Sequence, residues 1–246
     1  MQRPWHTVSI HDCGEPVQPL RSLVHCLEPH PYVELGAPYG NGDPFCLRQG
    51  VRSRLLSAQV HLTTLTLKDG GQPLRLAVFD AWRPLSVQAF MVHQAVKQEC
   101  SRRGIDSDDP DQKDMLSSVH EEVSRFWAPP SPDLCTPPPH STGAAVDLTL
   151  MDANEEVLDL GGEIDAIGPE SLPLHHAAEA EETPDGEAAL FHERRCLLHC
   201  VMTEAGFVRH PNEWWHFSFG DQLWAWTVNA DHAIYGRDQR LFSLET

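Results

Sequence analysis

Residues 144–150 read AAVDLTL, and this alternation restricts the fold more than any other feature of the chain. Successive side chains leave a strand on opposite faces, so Val146, Leu148 and Leu150 share one side while Ala145, Asp147 and Thr149 share the other. The aliphatic face reads as core and the opposite face as a polar surface, with an aspartate at its centre. The segment NEWWHFSF at 212–219 repeats the pattern, with Trp215, Phe217 and Phe219 opposite Trp214, His216 and Ser218. Asp147 and His216 are therefore expected on the polar face of one sheet. Glu213 stands an odd number of positions from His216, which in an ideal strand would aim it the wrong way. It is placed instead at the bend after Pro211, which re-aims it into the same cleft. His140 follows the consecutive prolines 137–139, and Gly143 lets the chain turn between it and Asp147.

Around these two stretches the chain alternates helical and extended patterns without internal repeats. PYVEL at 31–35 reads as a short strand, and the Gly-, Pro- and Asn-Gly-rich run after it as a loop. Residues 51–68 fit a helix, LRLAVFD at 74–80 a strand closed by Arg83 and Pro84, and 85–100 a second helix with Val87, Phe90, Met91, Ala95 and Val96 on one side. A third helix over about 111–127 runs into APPSPDLCTPPPH, a stiff irregular loop. The charged run AEAEETPDGEA reads as a solvated loop or fraying helix end, and a further helix over 188–205 stops at Gly206.

The 246 residues suit one large domain, 1–246, with 1–30 as an N-terminal extension and the core over about 31–220. A net charge of -18 opposes nucleic acid and anionic membrane surfaces as partners. No run approaches the roughly 18 apolar residues of a spanning helix. The first twenty residues have no apolar core of a secretory signal, and seven cysteines without framework spacing fit reduced thiols, so a cytoplasmic location is expected.

Two histidines and an aspartate suffice for a catalytic zinc, which keeps three protein ligands and one open position. A nearby glutamate that is not a ligand then handles the proton of the attacking water. Either spacing alone is weak, because fifteen histidines generate such patterns by chance. Four ordered motifs carry more weight: FDAWRP at 79–84, HSTGAAVDLTL at 140–150, HHAA at 175–178 and GFVRHPNEWWHF at 206–217. Together, over roughly 32–219, they resemble the D-alanyl-D-alanine dipeptidases of the VanX type, zinc peptidases in the wider group that includes the D,D-carboxypeptidases.

The resemblance implies a single zinc ion per chain held by His140, Asp147 and His216, with Glu213 as catalytic base and Arg83 as the arginine that faces the developing oxyanion. It also implies that Asp165 and Tyr32 lie by the ammonium of the substrate. Asp80 reads as a cap or orienting partner of Arg83. The chain departs from the family where Pro138 and Pro139 replace serines before the metal histidine. Prolines offer neither hydroxyl nor amide donor, so the substrate carboxylate or backbone must be recognised differently there. Trp82 also replaces the usual tyrosine.

A second set, His192, Cys196, His199 and Cys200, falls close to one face of a helix; interleaved with Leu197, Leu198 and Val201, it reads as core rather than as a metal site. The pair His175–His176 reads as a lid or structural pair. The expected fold is α+β, a single domain with a central, mainly antiparallel sheet flanked by helices and the zinc site on the polar face of the sheet. The expected activity is zinc-dependent hydrolysis of D-alanyl-D-alanine or a closely similar dipeptide, with a small dipeptide as partner and homo-oligomerisation left open. A related zinc peptidase acting on another small D-amino-acid or cell-wall peptide and a non-catalytic zinc-binding protein are the alternatives.

Overall fold

The computed structural model describes residues 3–68 and 71–238. In chain order the strands are β1 (Val17–Pro19), β2 (His25–Cys26), β3 (Cys46–Arg48), β4 (Arg75–Asp80), β5 (Ala145–Met151), β6 (Val208–Arg209) and β7 (His216–Ser218). The α-helices are α1 (Pro31–Glu34), α2 (Gln49–Lys68), α3 (Leu85–Arg103), α4 (Lys113–Phe126), α5 (Ala177–Glu182), α6 (Glu187–Glu204) and α7 (Gln222–Thr227). Five strands form one sheet in the order β2-β4-β5-β7-β6, and β1 pairs with β3 alongside it. Only the β2–β4 pair is parallel; β4–β5, β5–β7 and β6–β7 are antiparallel. The fold is α+β with a mainly antiparallel sheet, as expected.

The aliphatic face of β5 makes the main core. Val146, Leu148 and Leu150 pack with Leu55, Ala58 and Leu62 of α2 and with Leu198, Val201 and Met202 of α6. Each aliphatic side chain buried this way contributes roughly 1.5–3 kcal/mol. A second cluster joins Val87, Met91, Ala95 and Val96 of α3 to Val119 and Val123 of α4, with Tyr32, Tyr39 and Trp82 against them. Gly104, at φ 66°, ends α3 in the left-handed conformation that suits a helix stop.

Four readings of the sequence need correction. PYVEL is helical, not extended: Pro31 starts α1 and the His30 side chain caps it by accepting the Tyr32 N–H. The polar face of β5 is not a surface, since all seven strand residues are buried. Strand β7 begins only at His216, so Trp214 and Trp215 precede it, both buried with their rings at 90°. Cys196 and Cys200 are exposed rather than core, because the buried stripe of α6 runs through Leu198, Val201 and Met202. The stretch before residue 31 contributes β2 to the main sheet, and the buried Trp5 packs with Val208 and Leu223.

Candidate metal centre and active-site cleft

Strand register brings three polar side chains into one row. Asp147 pairs with His216 across β5–β7 and with Asp80 across β4–β5. The second pairing depends on a register shift between Val78 and Asp80. Continued without that shift, the Leu76↔Leu150 and Val78↔Leu148 pairing would set Phe79 opposite Asp147. One extra residue on β4 puts Asp80 there instead, the re-aiming that bulges produce beside active sites.

His140 reaches the row from the short 3-10 helix Pro139–Thr142, which ends at Gly143 with φ 70°. Its Nδ1 lies 2.7 Å from the Ala81 carbonyl, so Nδ1 carries the proton and donates, leaving the Nε2 lone pair facing inward. That Nε2 is 3.2 Å from His216 Nδ1 and 3.2 Å from Asp147 Oδ2, and His216 Nδ1 is 3.0 Å from Asp147 Oδ1. One donor atom from each of the three residues lies within 4.8 Å of the others, and all three side chains are buried. A buried carboxylate with two inward imidazole nitrogens is a set of electron-pair donors that a cation completes. Burial alone would raise the Asp147 carboxyl, but His140 and His216 hold it far below the usual carboxylate range.

Glu213 sits in the turn from His210 to His216, closed by the bond from the His210 amide to the His216 carbonyl at 2.9 Å. Its Oε2 lies 3.6 Å from His216 Nδ1 and its Oε1 3.3 Å from His210 Nδ1. The bend after Pro211 thus does aim it at the cluster. Burial, reinforced by the negative charge of Asp147, pushes its carboxyl up to about 8; Arg3 and His140 oppose that rise.

Arg83 is a buried hub. Its Nε and Nη2 donate to Asp80 Oδ2 at 3.0 and 2.8 Å, Nη1 to Gln88 at 3.1 Å, and Nη2 also to the Tyr32 hydroxyl at 3.1 Å and Asp147 Oδ2 at 3.3 Å. Asp80 is fully buried and accepts at Oδ1 from Tyr39 and His30, both at 3.1 Å. Because His30 Nδ1 accepts the Tyr32 amide, the proton of the ring is on Nε2, which donates to Asp80. Burial works to raise the Asp80 carboxyl, but Arg83 and then His30 hold it below its ordinary value. The Tyr32 hydroxyl donates to Asp165 Oδ2 at 2.6 Å. Burial pushes the Asp165 carboxyl up to about 7 against the pull of Arg83. Asp165 has φ 69°, a left-handed conformation that aspartate tolerates better than most residues.

The D-ala-D-ala dipeptidase family profile matches residues 25–236. The chain belongs to this family. It is 42% identical to a D-alanyl-D-alanine dipeptidase of Synechocystis sp. over 96% of each chain. It is 30% identical to a D-alanyl-D-alanine dipeptidase of Escherichia coli over 58% of this chain and 54% of that one. A crystal structure of a mutant vancomycin resistance D,D-pentapeptidase VanY in complex with Zn(II) is similar at a TM-score of 0.42 and 16% identity, covering 84% of this chain and 86% of that chain. Family membership makes the chain a metallopeptidase.

In this dipeptidase-family chain one cleft is lined by Asp165, Arg83, His140, Asp147, Glu213 and His216, and Tyr32 joins it through Asp165 and Arg83. All seven residues picked from the sequence thus converge. Arg3, Gln88, Trp127 and His210 also line the cleft and were missed. Trp82 does not line it; its ring packs over Gly42, where an added Cβ would come within 2.5 Å of it. Among the described residues the three-donor group is the only one of its kind, and the α6 set does not converge. His176 bonds the Gly161 carbonyl at 2.7 Å, which makes it a structural member of its pair. No helix among the described residues is long and apolar enough to cross a membrane.

Proposed function

We propose that the protein hydrolyses D-alanyl-D-alanine, or a closely similar dipeptide, with one zinc ion held by His140, Asp147 and His216. Bound there, zinc supplies Lewis acidity toward a peptide carbonyl and toward water. The rest of the chemistry belongs to side chains of the chain. Glu213 takes the proton of the attacking water and passes it to the leaving amine, and its burial raises the proton affinity that this relay uses. Arg83, fixed by Asp80 and Gln88, presents its charge where negative charge develops on the carbonyl oxygen. Asp165 and Tyr32, joined at 2.6 Å, offer oxygens to the ammonium of the substrate. The free thiols of the seven cysteines suit a reducing, cytoplasmic setting.

The observation that carries this reading is the convergence of three donors from separate elements within 4.8 Å, with Glu213 in contact and not needed as a ligand. A zinc that served structure alone is normally closed by four protein ligands. The test is release of free amino acid by zinc-loaded protein from D,D-, L,D- and L,L-dipeptides. Cleavage confined to D,D-dipeptides supports the proposal; cleavage of none with zinc bound refutes it.

A further inference from the structure

A free dipeptide carries a carboxylate at the end opposite its ammonium, and Pro138 and Pro139 supply no donor for it. The cleft has only two Arg or Lys side chains in its lining, Arg83 and Arg3. Arg83 is committed to the hub of Asp80, Gln88, Tyr32 and Asp147 and, in the reading above, to the carbonyl oxygen. Arg3 is held differently. Its Nη1 is 3.3 Å from His210 Nε2 and its Nη2 is 3.5 Å from the Ser124 carbonyl, both longer than the usual range for an N–H donor. No carboxylate pairs directly with it among the described residues, although burial lowers the pKa of its guanidinium. A partly desolvated cation whose balancing charge, Glu213, acts on it only from beyond ion-pair distance is a costly arrangement that an incoming carboxylate relieves.

Its position fits that anion. Arg3 touches His210, which touches Glu213, so it stands on the side of the cleft where the leaving amine would receive its proton. The carboxylate of a dipeptide belongs to that same leaving residue, while the ammonium is assigned above to Asp165 and Tyr32, which are tied to Arg83 rather than to Arg3. Arg3 is placed by the short helix Pro4–Thr7, where its guanidinium lies 5.5 Å from the Trp5 ring, itself edge-on to His210 at 5.7 Å. The space enclosed in the cleft is about 30 Å³, so rim side chains must move to admit a dipeptide, and the two long contacts of Arg3 are ones that a carboxylate can replace. Arg3 lies outside the residues matched to the family, 25–236.

We propose that Arg3 anchors the terminal carboxylate of the dipeptide and thereby restricts the enzyme to substrates with a free C-terminus. This rests on the dipeptidase reading above. Zinc-loaded wild type, Arg3→Gln and Arg3→Lys are compared on D-Ala-D-Ala and on D-Ala-D-alaninamide. A charge-assisted pair is worth roughly 10- to 100-fold, so wild type should favour the acid over the amide by that factor, mainly through KM. Arg3→Gln should abolish the preference and Arg3→Lys restore part of it. A parallel fall for acid and amide in Arg3→Gln would instead assign Arg3 to holding His210, and no preference in wild type would also overturn the proposal. Calorimetric titration of both ligands into the Glu213→Gln protein, with and without Arg3→Gln, reads the anchor without turnover. Acid bound more tightly than amide there, and only with Arg3 present, keeps the anchor even if wild type cleaves neither compound, in which case it is the dipeptidase reading that fails; equal binding removes the anchor.

Discussion

Replacing Asp80 with alanine removes the sole carboxylate that Arg83 contacts through two nitrogens, and the acceptor of two further donors. The carboxylate is fully buried and accepts from Arg83 Nε and Nη2, His30 Nε2 and the Tyr39 hydroxyl, all at 2.8–3.1 Å. The loss leaves a buried cation incompletely compensated and two further donors without their acceptor. Breaking a buried pair from one side costs about 3–5 kcal/mol. At about 2–4 °C per kcal/mol for a chain of this size, Tm should fall by roughly 6–20 °C. The assay is urea unfolding and thermal melting of chelator-treated protein, so that metal binding does not contribute. Asp80→Asn, which keeps an acceptor oxygen but not the charge, should lose less. The wild-type advantage over Asp80→Asn should also depend on pH. A carboxyl held below its ordinary value of 3.8 in the folded protein stabilises the fold above that pH, and the contribution is lost as pH falls through the lower folded value. An Asp80→Ala protein within about 1 kcal/mol of wild type would refute the hub as a unit of buried charge compensation.

Glu213→Gln should lower turnover of D-Ala-D-Ala by about 10²–10⁴-fold while zinc content stays at the wild-type level; turnover within a few fold of wild type would remove the glutamate from the proton path. Gly143→Ala should cost about 1–2 kcal/mol in urea unfolding, because the residue sits at φ 70° and the new Cβ would meet the Arg48 amide at 3.4 Å. Asp165 is raised to about 7, so its contribution to stability is full below 3.8 and is lost as pH rises toward 7. In metal-free protein wild type should therefore lose stability relative to Asp165→Asn as pH rises from about 4 to 7, and a relative stability independent of pH would show that the carboxyl titrates normally.

The parts of the fold legible in the sequence are those set by local periodicity. Helices α2, α3, α4 and α6 and strands β4 and β5 follow from their apolar spacing, and the parity of Asp147 and His216 survives as a direct cross-strand pair. Local pattern fails where a nearby signal overrides it, as at α1, where Pro31 and the His30 cap outweigh the strand-like letters of PYVEL. The bulge that turns Asp80 toward Asp147 leaves no mark on the alternation of LRLAVFD. The rest of the cleft was hidden by distance along the chain. Tyr32 meets Asp165 across 133 positions and Arg3 meets His210 across 207, and no spacing rule operates over such separations. Only the family resemblance marks Asp165, Tyr32, His140 and Arg83 in the sequence; Arg3 lies outside that resemblance and is marked only by its place in the fold.

Convergence of His140, Asp147 and His216 on one ion is tested by metal content per chain, measured after zinc loading and removal of free ion. One zinc is expected in wild type and in Glu213→Gln, with loss of that zinc in His140→Ala, Asp147→Ala and His216→Ala. A wild-type protein that retains none, or a His216→Ala protein that keeps its full complement, would contradict it.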